Sequence, residues 1–194
     1  VLKDQTGPSQ VGQPEPDGIT AVTNLPVLTH DCSRCAALCC VAYPFDKGRE
    51  FALQKEGDSP CPNLNGSSGC SVHCSLNEMG FSGCVAYSCA GAGQRVTQEL
   101  FDGESWHDDP DLLHHMTYAL RVLRPIHEAL LILNEALEIP MPADLRRDCT
   151  ALIAALCPAE DRSIWDFEEP EVQEALAEVP DFLPKLAPYV ISDC

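Results

Sequence analysis

No apolar run approaches the roughly 18 residues that a membrane-spanning helix requires, which argues against a helical membrane protein. Positive charge is scarce: 12 Lys and Arg stand against 30 Asp and Glu, a formal net charge of −18 at pH 7. So acidic a chain repels phosphate backbones, and nucleic-acid binding is an unfavourable reading. Neither a G-x-S-x-G elbow nor a P-loop is present, so the commonest hydrolase and NTPase mechanisms have no nucleophile or phosphate cradle to use. The first thirty residues lack a basic patch followed by an apolar stretch and are rich in Gly, Pro, Gln and Thr. No secretory signal is visible there, although a processed N-terminus would not show one, and the expectation is a cytoplasmic protein.

Cysteine is abundant. Twelve are present, and nine fall between Cys32 and Cys89 in the spacing C-x2-C-x3-C-C-x20-C-x8-C-x3-C-x9-C-x4-C. Thiolates two residues apart can both reach one cation, so a C-x2-C pair joined by further cysteines points to a metal or iron–sulfur site. The rival reading is a disulfide framework, since twelve is even and a secreted chain oxidises its thiols. Against it stand the missing signal and the size of the chain: 194 residues with 45% hydrophobic content can bury a core without staples. Asn65-Gly66-Ser67 fits the glycosylation acceptor pattern, which matters only in a secreted protein. The spacing matches neither ferredoxin pattern nor the paired knuckles of a zinc ribbon, so it does not name the metal. Eight or nine thiols also exceed the four that one centre needs, which calls for two centres or for structural or redox-active cysteines.

Three regions follow from composition. Residues 1–26 read as a flexible leader, with Gly7-Pro8, Pro14 and Pro16-Asp17-Gly18. Residues 27–105 form a cysteine-cluster module poor in core formers, where metal binding and folding are expected to be coupled. Residues 106–194 form an acidic helical segment. Its apolar residues recur at three- and four-residue steps from Leu112 to Leu137 and again from Leu145 to Leu156, with Pro125 expected to kink or divide the first stretch. A short helix over residues 171–178 completes the pattern. The expected fold class is mainly α, with an irregular, metal-stabilised cysteine-rich module and a helical hairpin packed on the metal site. The acidic half reads first as a solvated surface and second as a docking face for a basic partner protein or a redox partner.

The chain resembles the YkgJ-like cysteine-cluster proteins, a group described as zinc- or iron-chelating domains with a CxxCxxCC-type signature. Here that signature stands as Cys32, Cys35, Cys39 and Cys40, with one extra residue between the second and third cysteine. Cys61, Cys70, Cys84 and Cys89 match its downstream single cysteines, and Cys74 falls outside the pattern. The cysteine-rich N-terminal regions of some actinobacterial pentapeptide-repeat proteins are similar as well, down to Gly91-Ala-Gly-Gln94, although this chain has no pentapeptide repeats. The resemblance covers residues 30–105 and implies a metal-chelating domain with those eight cysteines as ligands. The cofactor it implies is an iron–sulfur cluster, a four-iron cubane in first place, or zinc.

Other constellations weigh less. His73 beside Cys74 is expected to donate to sulfur rather than ligate. Asp111-x-x-His114 has ligand spacing, but a second copy is missing, so His114, His115 and His127 read as a solvated helix face. Gly91-Ala-Gly93 lacks the third glycine of a dinucleotide loop and reads as a tight turn offering N–H groups to sulfur. Cys149 and Cys157 are expected to fill core, and Cys194 to be exposed and incidental. The functional expectation is a metal-binding protein carrying a cysteine-ligated iron–sulfur cluster or zinc, with electron transfer or redox as its use. The alternatives are an iron–sulfur-dependent enzyme and a secreted, disulfide-linked interaction protein.

Overall fold

The computed structural model describes residues 25–66 and 69–190. Most of the expected leader, Ser67 of the acceptor tripeptide and Cys194 lie outside them. The described chain is mainly helical. In order, the α-helices are α1 (Cys39–Ala42), α2 (Ser82–Ala86), α3 (Ala92–Arg95), α4 (Leu112–Ala136), α5 (Ala143–Leu156) and α6 (Pro170–Phe182). Among the described residues there is no strand, only the isolated bridges Phe45–Lys55 and Leu64–Cys70.

Helix α4 is the axis on which the rest packs. Met116, Ala119, Leu120, Leu123, Ile126, Leu130 and Leu133 recur at three- and four-residue steps, which puts them on one face, and all are buried. Pro125 neither divides nor ends the helix; it sits on the exposed side, where its missing N–H leaves no donor stranded in the core. Helix α5 runs back along α4: Arg146 donates to the carbonyls of Leu137 and Ile139, and Cys149 Sγ to that of Leu133. Cys149, Leu152, Ile153 and Leu156 face inward as their spacing predicts. The last helix is longer than the 171–178 expected. Pro170 starts it at a position needing no donor, and Val172, Ala175, Val179 and Phe182 carry the buried stripe past Pro180.

One apolar core joins the two halves. Ala36, Leu38 and Ala42 around α1, and Ala92 and Val96 around α3, pack into the cluster formed by α4, α5 and α6. Residues 43–80 are different. Of those described, only Lys55 is buried, so this stretch has no apolar core of its own. Of the aromatic and aliphatic residues near the cysteines, Phe81 is buried, Phe45 stacks on Phe51 with centroids 4.4 Å apart, and Val85 is exposed.

His127 departs from the solvated face expected of it. Its position on α4 falls within the inward stripe, and it is 0% exposed. Nδ1 donates to the Ala90 carbonyl at 2.7 Å, and Nε2 accepts from Arg95 Nη1 at 3.3 Å. Arg95 is in turn held by Asp161 at 2.8 Å and Glu99 at 3.1 Å. The imidazole is thus a neutral strut between α4 and the loop after Cys89. Burial, helped by the neighbouring guanidinium, pushes its pKa down to about 4. A depressed folded-state pKa means stability that is full above about pH 6.5 and lost as pH falls through 4. The difference in unfolding free energy between this protein and its His127→Gln variant should therefore shrink by on the order of 3 kcal/mol from pH 7 to pH 4. Parallel urea titrations of the two at both pH values measure it, and a pH-independent difference would show that the imidazole is not buried neutral.

Candidate metal centre

The segment that carries Cys32 and Cys35 has little structure of its own beyond one 3₁₀ turn, Cys32–Arg34, capped by the Asp31 carboxylate. It is pinned from sixty to seventy residues downstream. Gln94 accepts from the Asp31 N–H and donates to the Thr29 carbonyl at 3.0 Å. Thr97 Oγ1 accepts from Ala36 N at 3.1 Å and donates to the Gly93 carbonyl at 3.0 Å. Gln98 donates to the Arg34 carbonyl, and Trp106 Nε1 to that of Ala36 at 2.7 Å. Gln94, Thr97 and Gln98 sit on α3 and on the π-helical turn Val96–Leu100 that continues it, and Trp106 lies in the turns before α4. Sequence reasoning passed over all of them, because a glutamine or threonine in a helical stretch carries no pattern of its own.

Gly91 and Gly93 have steric roles. Gly91 has φ +83°, and a Cβ there would fall 2.0 Å from the Val27 carbonyl oxygen, so only glycine fits. A Cβ on Gly93 would meet Cys35 Sγ at 2.8 Å and Cys89 Sγ at 3.6 Å. Both sulfurs therefore lie against the same small face of α3. Two left-handed alanines, Ala37 at φ 54° and Ala90 at φ 47°, flank the cysteine segments. Non-glycine residues held there store strain of about 1 kcal/mol or more each, typical of functional loops.

Cys32, Cys35, Cys39 and Cys89 line one cavity of about 20 Å³, closed by His30, Asp31, Gly93, Gln94 and Leu120. That is room for about one water-sized sphere. The other four cysteines of the expected set lie elsewhere: Cys61 is within electrostatic reach of Cys40 and Cys70, and Cys84 of Cys40, Cys61 and Cys70. Cys40 stands between the groups, within reach of Cys32 as well. Its sulfur is 3.9 Å from that of Cys39, a smaller divergence than the helical 100° step between neighbours suggests. Cys74 and His73 are exposed, and Asp111, His114 and His115 lie on the solvated face expected of them. All eleven described cysteines are free thiols. As the side chains stand, no three His, Cys, Asp or Glu groups among the described residues close on a common point tightly enough to hold an ion.

The thiols differ in acidity. Burial pushes Cys35 and Cys84 up to about 11 and raises Cys32 and Cys61. Within the adjacent pair, the hydrogen bond lowers Cys40 and raises Cys39, with Lys55 adding to the stability of a Cys40 thiolate. Lys55 itself is buried and donates to the carbonyls of Val41 and Tyr43, each at 2.8 Å, and of Glu56 at 2.7 Å. Nothing in the surrounding Gln54-Lys55-Glu56 marks it as an inward residue. The Arg124 guanidinium lies over the rings of Tyr43 and Tyr87, 5.4 and 5.0 Å from their centroids, and Tyr87 is within electrostatic reach of Cys39 and Cys89.

A protein of Bacillus subtilis (strain 168) described as "Uncharacterized protein YybG" is 42% identical over 123 residues, covering 61% of this chain and 44% of YybG. The chain thus spans less than half the length of that curated relative. No protein-family description matches the sequence, and no solved structure does. The likeness to YkgJ-like proteins accordingly rests on the cysteine spacing.

Gly93→Ala probes the cavity wall directly. The added methyl has to displace the Cys35 thiol, so the variant should lose about 1–3 kcal/mol and expose Cys35 to faster alkylation. Gly66→Ala, whose Cβ meets nothing within 4 Å, should change stability by less than about 0.5 kcal/mol. Equal stability and equal Cys35 alkylation in the two variants would mean that Gly93 does not back the thiol.

Proposed function

We propose that this chain is a metal-binding protein whose first centre is a single ion held by Cys32, Cys35, Cys39 and Cys89. The observation that carries the reading is the convergence of four cysteines, three from one segment and one from 50 residues beyond, on a cavity of one-atom size. A four-thiolate set is the donor chemistry of zinc and of iron–sulfur centres. A single ion such as zinc is the simplest occupant of so small a cavity. The thiols surround the cavity without closing on it, but rotation about χ1 moves a cysteine sulfur by on the order of 3 Å, enough to complete a tetrahedron. The pinning by Gln94, Thr97 and Trp106 supports the reading too, since it fixes the backbone from which those rotations start.

Proton bookkeeping gives a pH test. Cys32, Cys35 and Cys39 all have raised pKa values and carry their protons at pH 7. Ligation requires thiolates, so each ion bound should release at least three protons, and affinity should fall steeply as pH drops from 8 to 6. Calorimetry of zinc binding in buffers of different ionisation enthalpy reads the number, and release of one proton or none would contradict a tetrathiolate site.

Ligand variants localise the ion. Cys32→Ser and Cys35→Ser should each lose the ion held there and destabilise residues 30–95 by on the order of several kcal/mol, whereas Cys149→Ser, buried against Leu133, should keep it. Metal analysis after anaerobic purification decides it. An equal loss in all three variants would place the site elsewhere, and a brown protein with acid-labile sulfide would replace the single-ion reading with a cluster.

A further inference from the structure

We propose that Cys40, Cys61, Cys70 and Cys84 form a second thiolate centre beside the first, charge-balanced by the buried ammonium of Lys55. The inference rests on the reading of the first centre as a metal site and extends it. Cys61, Cys70 and Cys84 take no part in the first cavity, and the sulfurs within their electrostatic reach are each other's and that of Cys40. The backbone is arranged to gather them. Cys61 N–H donates to the Cys40 carbonyl at 3.0 Å, which fixes the two residues side by side. From there the chain makes a hairpin-like excursion closed by Leu64 N to Cys61 O at 2.9 Å, the Leu64–Cys70 bridge and Ser71 N to Asn63 O at 2.8 Å. Cys70 is returned to the vicinity of Cys61 by these bonds. Helix α2, carrying Cys84, is tied down by Gly83 N to Glu50 O at 3.1 Å.

The second observation is the lysine. In a stretch whose described residues bury no apolar side chain, the one buried residue is a lysine: Lys55 is only 5% exposed. Its three hydrogen bonds all go to neutral carbonyls. A buried cation without an anion costs several kcal/mol, so the fold is expected to provide one. The groups within its reach that can carry negative charge are Cys61, Cys40, Asp58 and Cys39, and Asp58 is already paired with Arg121. What remains is the thiolates, two of them in the second group.

Charge also explains why a cation belongs between the groups. With metal–sulfur bonds of about 2.3 Å and the Cys39 and Cys40 sulfurs 3.9 Å apart as they stand, two ions bound through them lie within about 8.5 Å of each other. Each tetrathiolate zinc centre carries a net charge of about −2, so two of them at that separation repel strongly in a partly buried setting. Lys55, hydrogen-bonded to the carbonyl of Val41 next to Cys40, offsets that repulsion.

The test uses the full chain, reduced and handled anaerobically, titrated with cobalt(II). Thiolate-to-cobalt absorption counts the ions, and mass spectrometry of alkylated peptides shows which cysteines they protect. The expected result is two equivalents, with Cys61, Cys70 and Cys84 protected together with Cys32, Cys35, Cys39 and Cys89 while Cys74 alkylates. Cys61→Ser should lose one equivalent and keep the first centre. Lys55→Met should weaken the second equivalent about tenfold or more and leave the first nearly unchanged. One equivalent, with the first four thiols protected and Cys61, Cys70 and Cys84 open, overturns the second centre alone. Protection of no cluster thiol overturns the first reading as well, and two equivalents held as tightly in Lys55→Met as in the parent chain overturn the role of the lysine.

Discussion

Between residues 43 and 80 the described chain turns repeatedly without burying one apolar side chain, and a backbone so placed has to be held by something other than the hydrophobic effect. Its internal hydrogen bonds are those of turns and two isolated bridges, each worth about 1 kcal/mol net, against an ordering cost of about 1–2 kcal/mol for every residue fixed. Of the matched cysteines, Cys40 and Cys84 bracket this stretch and Cys61 and Cys70 lie within it, so the proposed thiolate centres would supply the missing free energy through metal coordination. Folding of the module and loading of its ions are then a single event.

The helical half is built on the opposite principle. Helix α4 buries a full apolar stripe, α5 and α6 close over it, and the hydrophobic effect alone accounts for the arrangement. Its contribution to the site is positional. Leu120 forms one wall of the first cavity, and His127 reaches from α4 to the carbonyl of Ala90, next to Cys89. A residue buried in the helical core thus sets the geometry of a loop that carries a cysteine of the cluster.

The helices were legible because their information is periodic. Steps of three and four residues located α4 and α5, down to the inward face of Cys149, Leu152, Ile153 and Leu156. Pro125 does not divide α4, and Pro180 lies within α6, since neither ring interrupts the buried stripe. His127 was misread because a histidine looks polar by composition, while its place among Leu123, Ile126 and Leu130 marks it as inward. The place of Cys89 could not be read from the spacing. Cys89 joins Cys32, Cys35 and Cys39 across more than fifty residues, and only the folded backbone, pinned by Gln94, Thr97 and Trp106, brings it there. Lys55 was invisible for the same reason: the partners that bury it are carbonyls, which every residue has.

The central claim is that cysteine thiolates bind metal ions and thereby hold the module together, and zinc K-edge X-ray absorption on the loaded chain tests it most directly. The account predicts a first shell of four sulfurs per zinc at about 2.3 Å, with no nitrogen or oxygen contribution. A shell dominated by nitrogen and oxygen, or a chain that retains no zinc while residues 30–95 stay folded, would contradict it.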